Sequence, residues 1–323
     1  ALDFAPVRYN PARGEIEVIY SAEVSVQFIN PDHIATDELR ARTFSPVFEG
    51  SLRSLLFNPE SERISLNRYP MSYLIITPAN FVNALQPFVN WKKQEGFNVI
   101  VATTAETGSS AGAIKTYIQN IWNAATTENP APTYLLIVGD TPQVPSNSGS
   151  TGSHVTDLNY VRLQGTDYMP EMYFGRFSAT TEAEVTNQVN KTLMHEMYTM
   201  PNDAYLSEVV MIAGADSYWA PTHANGQINY GTVNYFNPAH NITSHTYLYP
   251  ASQTSDAAIV ADVSNGVGYA NYTAHGSETS WGDPTFTIAN INSLQNVNES
   301  SFVVGNCCLT SAFDTGICFA EAW

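Results

Sequence analysis

Four groups capable of acid–base, nucleophilic or ligand chemistry each follow an apolar, β-branched run. They are Asp140 after YLLIVG, Asp216 after VVMIAGA, His275 after YANYTA and Cys308 after FVVGNC. In an open parallel sheet, ligands bind beyond the C-terminal ends of the strands, so these four are placed to converge. A Cys, a His and a carboxylate suffice for nucleophilic catalysis. The imidazole takes the thiol proton, and the carboxylate fixes the tautomer of the imidazole. Gly276 beside His275 lets backbone approach a substrate closely, and the N–H groups of Gly276 and Cys308 are candidates to face a developing oxyanion. Each residue also has a plainer reading. A strand-end His can be a structural hydrogen bonder, a Cys after an apolar strand is often core, and an Asp after a strand commonly caps the next helix. Spacing alone leaves both readings open.

The elements that must position these groups are legible as alternating runs. YLIIT from Tyr73, NVIVATT, YLLIVGD, EVVMIAGAD, YANYTAHG and FVVGNCC read as strands. Between them, helical spacing runs over 80–95, 111–123, 182–197 and 255–263. Strand–helix alternation predicts an α/β fold with a largely parallel sheet flanked by helices. Residues 1–30 differ. GEIEVIYSAEVSVQFIN alternates apolar and polar after a PARG turn, which predicts a hairpin at the edge of a β-sandwich. Residues 31–70 read as an irregular linker with Arg53, Arg63 and Arg68 exposed, and SNSGSTGS (146–153) as a flexible loop. The chain stops at CFAEAW, which looks like the opening of a helix without a C-cap and reads as an end inside a domain.

Composition narrows the class. Of 323 residues, 44% are hydrophobic and 13% charged, which excludes a disordered chain. No apolar run is long enough for a membrane span. The formal charge of −17 argues against nucleic acid as a partner and favours calcium or a cationic substrate. Seven of the nine arginines lie in the first 68 residues, and no lysine precedes Lys92. That break sets residues 1–68 apart from 69–323, the latter subdivided at 200/201. The three cysteines, Cys307, Cys308 and Cys318, form neither a disulfide framework nor a zinc spacing. His195 reads as a surface or core histidine, the pair Lys92–Lys93 as a solvated helix face, and Tyr218, Trp219 and Trp281 as aromatics near the candidate triad in sequence.

The segments NYTAHGSETSWGDP, GNCC and CFAEA resemble the gingipains, secreted cysteine endopeptidases with a caspase-like fold; Cys308 stands 33 residues beyond His275. LLIVGDTP, DYMPEMYFGRFSATTEAEV and IAGAD resemble the same family in the same order, and residues 1–68 resemble the end of its propeptide. The resemblance implies Cys308 as nucleophile, His275 as base, Asp216 as the group orienting it, and Gly276 and Cys308 as oxyanion donors. It implies Trp219 and Thr273 as lining the pocket for a basic P1 side chain, Arg or Lys. GNCC and IAGAD are closer to the lysine-specific branch, GRFSA and CFAEA to the arginine-specific one. It also implies structural calcium held by Asp140, Asp167, Glu171 and the carbonyl of Met169, with Gly165 where some members have a further Asp. A second cation site would use Glu321 and a carbonyl near Phe313. Oxygen-only ligands suit calcium on independent grounds. Protein substrates, the chain's own propeptide as a partner, and a secreted or cell-surface location follow from the same resemblance. A linker without lysine predicts release after Arg63 or Arg68. The rival reading is an inactive, calcium-stabilised binding or adhesion module.

Overall fold

The N-terminal alternation folds as far as a hairpin and no further. The computed structural model describes residues 5–53, 70–152 and 154–323, without the side chains of 52 and 53. The chain divides into two compact units, Ala1–Arg40 and Ala41–Trp323. In the first, β1 (Val7–Asn10) and β2 (Glu15–Val18) pair antiparallel. The PARG turn forms where expected: Asn10 Oδ1 accepts the Ala12 N–H at 3.1 Å, and Gly14 takes a φ of 65°, which glycine adopts without a Cβ penalty. The expected strand beyond Val18 does not form. Every residue of both strands is exposed, and an isolated two-stranded hairpin has no packed face to extend.

The irregular linker expected over 31–70 is corrected by two helices, α1 (His33–Thr43) and α2 (Pro46–Arg53). Asp32 caps the first through Ala35 N–H at 3.0 Å, and Pro46 opens the second, where a missing N–H costs nothing. Within the second unit, Phe48 stacks on Tyr173 at 4.4 Å, and the Arg42 guanidinium bonds the carbonyls of Trp122 and Asn123. Arg63, Arg68 and the Arg53 side chain lie outside the described residues.

The second unit contains the strands and helices read from the sequence, and adds a strand at Tyr173–Phe177, a helix at Asn225–Asn234 and a strand at Thr243–Tyr247 that the sequence reading lacks. They are β3 (Ser72–Thr77), α3 (Val82–Gln94), β4 (Asn98–Thr103), α4 (Ala111–Asn123), β5 (Pro132–Val138), β6 (Tyr173–Phe177) and α5 (Glu182–Glu196). After residue 200 come β7 (Glu208–Ala213), α6 (Asn225–Asn234), β8 (Thr243–Tyr247), α7 (Asp256–Ser264), β9 (Tyr269–Thr273), β10 (Phe302–Asn306) and α8 (Phe319–Ala322). They form two four-stranded parallel sheets, β4-β3-β5-β6 and β8-β7-β9-β10. The central strands carry runs of consecutive buried residues, the pattern of parallel strands covered on both faces. Leu74, Ile75, Ile76, Val210 and Ile212 are fully buried.

Two smaller expectations, on Lys92 and on the Ser/Gly stretch, are corrected. Lys92 is buried rather than solvated: Glu196 and Glu95 meet its ammonium at 2.7 and 2.9 Å, which satisfies a charge that burial would otherwise penalise. The Ser/Gly stretch is partly ordered, because 147–148 ladder with 155–156. Trp281 is core, stacked on Tyr272 at 4.7 Å. His195 is structural: its Nε2 lies 2.8 Å from the Ser300 carbonyl.

Candidate active site

Strand register assembles the site. Thr273, the last residue of β9, pairs with Ala213 of β7 on one side and Asn306 of β10 on the other. The three strands therefore end level, about 4.8 Å apart. Asp216, His275 and Cys308 follow within two or three residues of those ends. His275 Nε2 lies 2.8 Å from Asp216 Oδ2. A carboxylate only accepts, so Nε2 carries the proton and Nδ1 is left as the base.

Asp216 is held as an anion. Its Oδ1 accepts the N–H groups of Tyr218 and Trp219 at 2.9 and 2.8 Å. The Trp219 amide first, then His275 and the Tyr218 amide, hold its carboxyl below the usual range. A lowered carboxyl pKa adds stability in full above the unfolded value, about 3.9; that stability declines below it and is gone once pH has fallen through the lower folded value. The Asp216 carboxylate therefore stays ionised to lower pH than an ordinary Asp.

The loops that carry His275 and Asp216 are fixed by backbone. The His275 carbonyl accepts from Gly282 N–H and from the Tyr272 hydroxyl, both at 2.8 Å. Gly214 N–H donates to Thr273 O at 3.0 Å, and Ala215 N–H to Asp283 O at 2.6 Å. Gly276 has a use the sequence did not suggest. A Cβ there would sit 2.8 Å from Cys308 O and 2.9 Å from both Cys307 Sγ and Thr310 Cγ2. The missing side chain admits the loop that carries Cys308. Gly276→Ala should therefore cost about 1–3 kcal/mol by overpacking. Thermal denaturation checks this, and an unchanged Tm would contradict the close approach.

The cysteines separate by environment. Cys308 is exposed, Cys307 half-buried and Cys318 buried. Burial pushes the Cys307 thiol up, and pushes Cys318 up to about 11. Only Cys308 offers an accessible thiol at the strand ends.

Of the pocket candidates, Trp219 is exposed and its ring meets His223 at 4.8 Å. Thr273 donates its hydroxyl to Gln227 Oε1 at 2.8 Å. Sequence reasoning missed Gln227, since a glutamine inside a helix carries no spacing signal.

The calcium candidates have the right donor chemistry but are not gathered. Asp140 lines a cavity of about 270 Å³ together with Glu321, and burial raises its carboxyl. Glu321 is committed elsewhere: its oxygens accept the Ser178 hydroxyl at 2.5 Å and the Cys318 N–H at 2.7 Å. Asp167 and Glu171 sit on another loop. Asp167 Oδ1 accepts the Met169 N–H, and Glu171 Oε2 accepts the Leu163 and Gln164 N–H groups. Phe313 covers the Arg176 guanidinium at 4.7 Å. Among the described residues no three His, Cys, Asp or Glu converge as a metal site. The donor types suit calcium although their side chains are not gathered, and no chemical step is assigned to an ion. No helix among the described residues is long and apolar enough to cross a membrane.

Comparison with known proteins adds an independent line. The family model described as Peptidase family C25 matches residues 67–323. Lys-gingipain HG66 of Porphyromonas gingivalis is 39% identical over 99% of this chain, which spans 19% of that protein. Gingipain R2 of the same species is 27% identical over 99% of this chain and 44% of its own length. The crystal structure of the Arg-specific cysteine proteinase gingipain R superposes with a TM-score of 0.67 at 25% identity, covering 78% of this chain and 58% of that one. The chain thus spans less than half the length of the curated relatives it matches.

Proposed function

The chain belongs to peptidase family C25, and from that premise we propose that it is a cysteine endopeptidase cutting polypeptides after Arg or Lys. The observation that carries this reading is the 2.8 Å His275–Asp216 pair at the same sheet edge as the exposed Cys308. Cys308 Sγ passes its proton to His275 Nδ1 and attacks the scissile carbonyl carbon. The oxyanion faces the N–H groups of Gly276 and Cys308. Collapse breaks the C–N bond, and His275 protonates the departing amine. Water, deprotonated by His275, then hydrolyses the thioester and returns the thiol. Asp216 holds the imidazole throughout.

A basic P1 residue is supported by the charge of −17 and by the exposed Trp219, whose ring face attracts a cation. Trp219 and Thr273 are the proposed pocket walls. Two fluorogenic peptides, one with Arg and one with Lys at P1, test the reading. Cleavage of at least one after the basic residue is expected. Cleavage of neither by folded protein would overturn it in favour of a binding module.

Residues 1–68 are proposed as the tail of a propeptide that partners the catalytic part, and the protein as secreted or cell-surface. Calcium is proposed as a stabiliser of the loops carrying Asp140, Asp167, Met169 and Glu171, supported by the all-oxygen donor set. Millimolar calcium should raise Tm relative to EDTA, and Asp167→Asn should remove that rise. Equal melting with and without calcium would end the proposal.

A further inference from the structure

The segment from the Asp216 loop through α6 to the start of α7 is unlike the rest of the chain. Residues 217–255 contain no Asp, Glu, Lys or Arg, in a protein whose formal charge is −17. Ala220, Ala224 and Ile228 turn inward, packed with Val209, Met211 and Ala213. The opposite face follows the helical spacing 219, 223, 227, 230 and is exposed. Tyr218, Trp219, Tyr230, Val233 and Tyr235 are 75, 54, 63, 73 and 55% accessible. Tyr230 and Tyr235 meet edge to face at 6.0 Å. An uncharged face of Tyr, Trp and amide side chains is the composition that polypeptide-binding surfaces use. The rigid aromatics give contact area at low entropic cost, and the amides give adaptable hydrogen bonds.

The face is continuous with the cleavage site. At one end, Trp219 N–H bonds the carboxylate that holds His275. In the middle, Gln227 Oε1 accepts the hydroxyl of Thr273, two residues before His275. With Oε1 so occupied, the Nε2 hydrogens of Gln227 have no protein acceptor among the described residues and can donate to a peptide carbonyl. We propose that this face is an exosite that binds unfolded, apolar stretches of the substrate polypeptide beyond its P1 residue. This rests on the endopeptidase reading for its purpose, but binding is measurable without cleavage.

The test uses the full chain carrying Cys308→Ser, so that bound polypeptide is not cut. The probe is fluorescently labelled α-lactalbumin, reduced and carboxamidomethylated, an acidic unfolded chain that a negative protein does not attract by charge. Saturable binding that persists at high salt is expected. Tyr230→Ser/Val233→Ser/Tyr235→Ser should weaken it about 10-fold or more, as loss of aromatic anchors does. If the triple variant melts early, Val233→Glu alone serves, since it places a charge on the same face. Absent binding, or unchanged affinity in these variants, would overturn the proposal. So would a dimer that the substitutions turn into monomer by sedimentation, because the face would then be covered by a second copy. Intact binding in a wild-type chain that cuts neither basic-P1 peptide would strike the endopeptidase reading and leave the exosite standing.

Discussion

Cys308→Ala should lower kcat on a basic-P1 peptide by about 10⁵–10⁶-fold, the scale on which hydrolases lose rate when the nucleophile of a catalytic triad is removed. Stability should barely change. The thiol is exposed and no hydrogen bond holds it among the described residues, so its removal opens no cavity. Cys307→Ala is the informative contrast. That thiol is half-buried, its pKa is raised by burial, and it lies 3.5 Å from the Thr310 hydroxyl. Its loss should cost some stability and far less rate. A Cys307→Ala enzyme as dead as Cys308→Ala, with unchanged Tm, would reassign the nucleophile to the other member of the pair.

The largest stability effect should come from Asp157→Ala. Asp157 receives Arg176 through two bonds of 2.7 Å, and both side chains are almost fully buried. Arg176 Nη1 donates to the carbonyls of Gly139 and Val144 at 2.6 and 2.9 Å. Removing the carboxylate leaves a buried guanidinium without its counter-charge, which costs about 3–5 kcal/mol. The denaturant midpoint should fall accordingly. The double variant Asp157→Leu/Arg176→Met should recover most of that loss, because the penalty belongs to the orphaned charge and not to the missing pair. The defect should also reach catalysis. Phe313, in the loop that follows Cys308, rests on the face of Arg176, so a tilted guanidinium disturbs the chain that carries Cys308.

The sequence disclosed the site better than its surroundings. Asp216, His275 and Cys308 were visible because apolar, β-branched runs announce buried parallel strands, and chemistry in such folds collects where strands end. The helices at 111–123 and 182–196 were visible through their period; the structure adds their caps, Ser110 and Thr181, whose side chains accept backbone N–H groups. What was hidden depended on partners distant in sequence. Lys92 looked like a solvated lysine because nothing local reveals Glu196, more than a hundred residues on. β6 carries Gly175 and Arg176 in five residues and has no apolar run to betray it. The helices at 33–43 and 46–53 hide in a polar, Pro-containing stretch, and the second is held by a stacking contact with Tyr173. Gly276 was singled out for closeness to a substrate; that its missing side chain also admits the carbonyl of Cys308 was not legible. Spacing identifies which residues share an edge; it does not say which backbone they touch.

The central claim is that His275 activates Cys308, and the alkylation rate of each cysteine tests it most directly. Iodoacetamide labelling at neutral pH, resolved by peptide mass spectrometry, reports Cys307, Cys308 and Cys318 separately. The account predicts that Cys308 labels at least about 10-fold faster than the others, since a His-paired thiol is more ionised. It also predicts that His275→Ala slows Cys308 alone. Exposure by itself could produce the first result but not the second. Equal labelling of Cys308 with and without the imidazole would contradict the account, for the thiol would then be accessible and nothing more.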